Sequence, residues 1–260
     1  MSRDQAYYDA RWSTPVTELG PVGRQRVLVL RQTLAEVRKR VGRDLRILDF
    51  GCGQGHYAAI AADFGNVLAI DLSPVAIQHG RASYPHVEFR VGDVLKCDLP
   101  GPFDVVLSIE VLEHVRDQLL YITCLASLLA AGGHLILTTP NRAVAKRYWS
   151  IEAHREKAQP VEAWLSISDV RKLLSPWLDT VYAGTVGTGY SYKGIMRLVN
   201  SAKIDSMLAI LGLRGTVRRA WELAGYGLHI FLHAVKPLDV GTATGLPKGN
   251  SRDAHTPHLR

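Results

Sequence analysis

LRILDFGCGQGHYAAIAADFGNVLAIDLSP, residues 45–74, decides the fold. Leu45 to Phe50 is an apolar run of strand length, and Asp49 is its one acid. Gly51, Gly53 and Gly55 follow as a turn that only glycine makes easily. Gln54 to Phe64 reads as a helix and Val67 to Ile70 as a second strand, ending at Asp71. Strand, tight glycine turn, helix and strand form a βαβ unit, which implies parallel pairing. Beyond it, Pro74 to Tyr84 predicts a helix with proline in its first turn. Strands are expected at Val87–Val91 and Phe103–Ile109, then a helix from Gln118 to Ala130 closed by Gly132-Gly133. His134–Thr138, a strand beginning near Val181, and the apolar LHIFLHAV at 228–235 complete the set. The pattern predicts an α/β, doubly wound, mostly parallel seven-stranded sheet, with a helical insertion before the last strand.

On the amino-terminal side, Gln25 to Arg40 reads as an amphipathic helix, with Val27, Leu30, Leu34, Val37 and Val41 on one face and Gly42 ending it. Tyr7, Tyr8 and Trp12 precede it. The insertion, roughly Gly187 to Tyr226, mixes apolar residues such as Ile195 and Met207 with Lys193, Arg197, Lys203, Arg214, Arg218 and Arg219. It can cover an apolar substrate, form a subunit contact, rest on an anionic membrane or pack on the core, a cap or subunit contact being favoured over a membrane because the helices are short. The Gly/Pro/Ser/Thr-rich residues 238–260 are expected to be disordered.

Composition narrows the function classes. The 260 residues are 47% hydrophobic, ample for one α/β domain with a cap. A formal charge of +7 favours anions in general, but the basic residues fall in no nucleic-acid-binding signature. Cys52, Cys97 and Cys124 are widely spaced, which points to neither a zinc site nor a disulfide framework. No secretory leader or membrane-length apolar run is read, so a cytoplasmic protein is expected.

The glycine turn and the acid at the end of the second strand suit a nucleoside cofactor, because an acid there accepts from both ribose hydroxyls. Nicotinamide enzymes share that device. Their glycines usually run GxGxxG or GxGxxA, whereas Gly51, Gly53 and Gly55 run GxGxG, although Ala58 leaves the distinction imperfect. The ordered set LDFGCGQGHYA, AIDLSP, VGDV, FDVVLSIEVLEHV and LLAAGGHLILTTPN resembles class I S-adenosylmethionine-dependent methyltransferases. It is most similar to the ubiquinone-biosynthesis O-methyltransferase type and its small-molecule relatives, over about residues 45–142. The resemblance implies S-adenosyl-L-methionine as cofactor. Gly51, Gly53 and Gly55 would line its methionine end, with Asp49 orienting the amino group. Asp71 would hold the ribose with Leu72 beside it. Asp93 would face the adenine, with Val94 packing nearby, and Ile109 and Glu110 would close the far side.

Methyl transfer from a sulfonium needs alignment and, for many acceptors, a base. His114, after the fourth strand, is the first candidate, and His154 is a second; either can equally be structural. Glu110, Glu113 and His114 form ExxEH, and a shared helical turn would point Glu110 and His114 together. Some relatives use that motif for a divalent metal, but no metal ligand is assigned here. Tyr8, with Tyr7 and Trp12, can lie over the sulfonium as a lid or simply pack. The expected organisation is a helical arm and lid (1–44), a methyltransferase core (45–185), a helical insertion or cap (186–226), a closing strand (227–237) and the tail. The expected reaction is methylation of an oxygen, or a nitrogen, of a small molecule. An RNA-modifying enzyme and a non-catalytic binding protein of the same fold are the alternatives. A homo-oligomer is possible; a nucleic-acid partner is not expected.

Overall fold

The computed structural model describes residues 3–93, 99–148, 160–187 and 201–238. The strands are β1 (Leu45–Phe50), β2 (Gly65–Asp71), β3 (Glu88–Val91), β4 (Phe103–Ile109), β5 (Leu129–Pro140), β6 (Asp179–Val186) and β7 (His229–Val235). They form one sheet in the order β3-β2-β1-β4-β5-β7-β6. All pairs are parallel except those made by β7, which runs antiparallel between β5 and β6. The order reverses at β1, so the carboxyl ends of β1 and β4 border a crevice, where ligands bind in such sheets.

Helix α2 (Pro21–Val41) starts with proline at its first turn and stops where Gly42 turns left-handed, φ 74°. Its buried Leu30, Leu34 and Val37 cover one sheet face. That layer also contains α3 (His56–Ala61), whose chain tightens to a 3₁₀ turn at Ala62–Phe64, and α4 (Pro74–Ser83). Ser73 caps α4 by accepting from the Ala76 N–H. The opposite face is covered by α5 (Gln118–Leu128) and α7 (Ile167–Leu174), through Tyr121, Ile122, Leu125, Val170 and Leu174. A reciprocal Ser166–Asp169 capping box starts α7. The remaining helices are α1 (Arg3–Arg11), α6 (Arg142–Tyr148), α8 (Ala202–Ile210) and α9 (Arg214–Leu223).

Two of the boundaries that differ from the sequence expectation have a clear local cause. Helix α5 ends at Leu128, and Gly132-Gly133 lies inside β5 instead of closing the helix. Leu129 already pairs with Phe103, while Val105 pairs with His134, so Ala130–Gly133 bulge out of the ladder. A side chain on Gly133 would come within 3.0 Å of the Phe103 carbonyl, which explains a glycine at that point. The second difference is at α3, which begins at His56 because the backbone is still left-handed at Gly55, φ 81°. Of the expected insertion, the described part is the α8–α9 hairpin, neither helix of which has a buried residue.

Candidate active site

The carboxyl edge of the sheet gathers most of the residues singled out from the sequence. Gly51, Gly53 and Gly55 all have positive φ, at 83°, 55° and 81°. The loop they form is packed closely: a Cβ on Gly51 would approach Val111 to 2.6 Å, and one on Gly53 would approach the Trp12 ring to 2.9 Å. Asp71, at the end of β2, accepts from the Gly53 N–H (2.8 Å) and the Ser73 N–H (2.9 Å). One carboxylate therefore ties the glycine loop to the start of α4. Leu72 follows it, partly buried, and Asp93 lies two residues past the end of β3, the neighbouring strand. Ile109 ends β4 and is 8% exposed. Val94 and His154 lie outside the described residues.

Asp49 is 1% exposed, and its Oδ2 makes no hydrogen bond. Burial, with Asp71 nearby, pushes its carboxyl up to about 7. A buried carboxylate oxygen without a donor is destabilising and calls for a partner. An ammonium group supplies one, so this orphaned oxygen fits the amino end of S-adenosylmethionine. The positive-φ glycines beside it allow the close backbone approach that such a ligand requires. The same burial raises the Cys52 thiol well above its usual range and keeps it protonated.

The amino-terminal segment folds over this loop. Gln54 donates to the carbonyls of Trp12 (3.3 Å) and Thr14 (3.0 Å) and accepts from the Val16 N–H (2.7 Å). Ser73 binds Asp9, and Arg116 binds Asp4. Helix α1 thereby sets Tyr8 edge-on to His114, with ring centroids 6.4 Å apart. Burial and the nearby Asp71 raise the Tyr8 phenol, so it stays protonated.

His114 sits on the 3₁₀ turn Leu112–His114 just after β4. Its Nδ1 donates to the Val161 carbonyl at 2.9 Å. That bond fixes the proton on Nδ1 and leaves Nε2 as the acceptor. Burial lowers its pKa below 6.5, although the Val161 carbonyl and Glu110 oppose the shift. The imidazole is therefore neutral at neutral pH.

ExxEH does not lie on one helical turn. Glu110 is left-handed, φ 59°, so its side chain leaves the direction His114 takes. Its Oε1 accepts from Thr138 (2.8 Å), while Oε2 meets Arg26 (3.2 Å) and His229 (2.6 Å). Burial alone would raise its pKa, but Arg26 and His229 outweigh burial and bring it down to about 2. Glu113 is 2% exposed and accepts from Thr139. Burial and the charge on Glu110 raise its pKa well above the usual range. Its Oε1 is 3.6 Å from His114 Nε2, beyond hydrogen-bond distance. Among the described residues, no three His, Cys, Asp or Glu side chains are grouped to hold a metal ion.

Sequence reasoning missed Arg26, Tyr57 and His229. Arg26 carries a sequence signal: it lies four residues before Leu30, so it continues the core-facing stripe of α2 with a charge. His229 likewise interrupts an apolar strand.

A methyltransferase-domain family profile matches residues 22–202, well over half of the chain. A ubiquinone biosynthesis O-methyltransferase of Xanthomonas campestris pv. campestris is 46% identical over 107 residues, which is 38% of this chain and 45% of that relative. The match thus spans about half the length of the curated relative. The N-methyltransferase NodS of Bradyrhizobium japonicum, solved with S-adenosylhomocysteine, superposes with a TM-score of 0.59 at 15% identity, covering 91% of this chain and all of NodS. Magnesium protoporphyrin IX methyltransferase of Synechocystis, also with bound S-adenosylhomocysteine, gives 0.56 at 17% identity, covering 89% and 97%. Among the described residues no helix is long and apolar enough to cross a membrane. The glycine loop with its two acids, the sheet order with an antiparallel β7, and the profile match agree: the chain belongs to the class I S-adenosylmethionine-dependent methyltransferases.

Proposed function

We propose that the protein transfers the methyl group of S-adenosylmethionine to an oxygen of a small-molecule acceptor, with His114 receiving the proton. Nitrogen is the alternative acceptor atom. The carrying observation is the fixed tautomer of His114: Nδ1–H is committed to the Val161 carbonyl, so Nε2 presents a lone pair at the carboxyl edge of the sheet. The cofactor supplies an electrophilic methyl on a sulfonium, open to in-line displacement. This chain supplies the rest. Asp49 holds the amino end and Asp71 the ribose. Asp93, Leu72 and Ile109 border the adenosine, and neutral His114 accepts a proton as the acceptor oxygen becomes nucleophilic. The arm that carries Tyr8 and Trp12 excludes water from the sulfonium, and the protonated Tyr8 ring offers its π face to a cation. The α8–α9 hairpin serves as part of the substrate cap; Thr185 of β6 anchors it by donating to the Glu222 carbonyl.

The test is methyl transfer from isotopically labelled cofactor to matched phenols, alcohols, sugars and amines. Label on oxygen supports the proposal. Label confined to amines, or none on any small molecule while short RNAs accept it, overturns it.

A further inference from the structure

Among the described residues, two buried side-chain polar atoms make no hydrogen bond: Asp49 Oδ2 and Arg26 Nε. The first suits the cofactor's ammonium. The second belongs to a cluster the methyl-transfer argument does not use.

Arg26 projects from α2 to the end of β4 and the start of β7, two points at the same edge of the sheet. Its Nη1 donates to the Tyr57 hydroxyl at 3.3 Å, and its Nη2 forms an ion pair with Glu110 Oε2 at 3.2 Å. Nη2 is also 2.9 Å from His229 Nδ1. The same Nδ1 is 2.6 Å from Glu110 Oε2, so it carries a proton and donates there. The arginine and the histidine therefore converge on one carboxylate oxygen. Thr138 fills the other oxygen. Glu110 holds this position at φ 59°, a conformation that is strained for any residue but glycine. Within this cluster, Arg26 Nε is the buried side-chain atom that makes no hydrogen bond. A buried N–H of a charged group without an acceptor is destabilising, so an acceptor atom is expected to meet it.

Electrostatics selects the kind of atom. Arg26 and Glu110 offset each other's charge. The Nε–H lies on the edge of the guanidinium shared with Nη2, so a carboxylate there would crowd against Glu110. An ammonium has no lone pair to offer, and an apolar group leaves the donor unmet.

We propose that Arg26 Nε–H recognises the methyl acceptor, and that it takes an uncharged oxygen, a carbonyl or a hydroxyl, close to the atom that is methylated. Arg26 is then a specificity-determining residue of the proposed small-molecule methyltransferase, and the inference rests on that reading.

The experiment follows the Arg26 Nε–H resonance by NMR in isotope-labelled protein saturated with S-adenosylhomocysteine. The resonance is assigned by its loss in Arg26→Lys. The probes are acetophenone, benzoate and ethylbenzene, which share a ring and differ in the atom offered. Acetophenone should move the resonance saturably, and the other two by less than about a fifth as far. Arg26→Lys keeps the charge opposite Glu110. By calorimetry it should bind S-adenosylhomocysteine within about threefold of normal and acetophenone about tenfold or more weakly, the usual worth of a charge-assisted hydrogen bond. A resonance unmoved by acetophenone, one moved as far by ethylbenzene or further by benzoate, or equal acetophenone affinity in Arg26→Lys overturns the inference. If the normal protein fails to bind S-adenosylhomocysteine, the functional reading itself fails. If it binds while the resonance stays still, only the role of Arg26 does.

Discussion

Cofactor affinity should depend on pH through Asp49. Its carboxyl stands at about 7 against a usual 3.8, because burial and Asp71 disfavour its charge. At 1.36 kcal/mol per pH unit, that rise corresponds to about 4 kcal/mol. The sign follows from the folded form binding the proton more tightly than the unfolded form. Below pH 3.8 both hold it and there is no cost; the cost grows as pH rises toward 7 and is constant above. An ammonium seated on Oδ2 favours the charged carboxylate and reverses much of that cost. Cofactor binding should therefore expel a proton below pH 7. The dissociation constant for S-adenosylhomocysteine should worsen by up to about tenfold per pH unit on that side, about thirtyfold at pH 5.5 relative to the plateau above pH 8. Calorimetry in buffers of different ionisation enthalpy measures both the constant and the proton. Asp49→Asn should flatten the pH dependence and weaken binding, yet raise the Tm of the ligand-free protein at pH 8 by several degrees, at about 2–4 °C per kcal/mol. A normal protein whose constant changes less than about threefold between pH 5.5 and 8.5 would refute the reasoning, as would an Asp49→Asn variant that keeps the full slope.

Three further outcomes are expected. Asp71→Ala removes the ribose acceptor and frees the Gly53 and Ser73 N–H groups; its cofactor affinity should fall more than about tenfold, and an unchanged constant in the folded variant places the ribose elsewhere. His114→Ala should slow single-turnover methyl transfer by about 10²–10⁴-fold with cofactor affinity kept. The normal rate should rise with pH through a midpoint below the ordinary histidine value and then level off, since the base must be neutral and burial lowers its pKa; a loss within about threefold, with and without chelator, rules the base out. Gly55→Ala combines a left-handed backbone, φ 81°, with a Cβ that runs into the Phe89 ring; it should cost about 2–4 kcal/mol in a denaturant titration, and a variant within about 0.5 kcal/mol of normal contradicts that packing.

The sheet was readable from sequence because its inner strands are buried on both faces and appear as unbroken apolar runs; β1 and β4 match their expected limits to the residue. Asp71 and Asp93 stood out in the sequence as candidates because they lie at or just past the end of an apolar run, and strand ends are where ligands bind in such sheets. Gly132-Gly133 misled because a glycine pair after a helix is the usual stop, whereas here tertiary pairing of Leu129 with Phe103 ends α5 first. Arg26 and His229 are 203 residues apart in the chain. Nothing local announces their meeting, which depends on β7 running antiparallel beside β5 so that its first residue reaches the ligand edge. The left-handed turn of Glu110 was equally hidden, because glutamate carries no signal for positive φ.

The position of β7 also bears on how the chain is made. It is the last of the sheet's seven described strands in chain order, and so the last of them to be synthesised, yet it lies between β5 and β6. Until it arrives, β6 has no strand neighbour and β5 presents one bare edge. Pairing must then be completed by wedging a seven-residue strand into a slot, with contacts that span nearly a hundred residues from Thr138 to Phe231. Such late, long-range closure is slow and leaves an adhesive edge exposed meanwhile. The same event delivers His229 to Glu110, so a growing chain completes its sheet and its ligand edge in a single step, and synthesis stalled before that strand leaves neither.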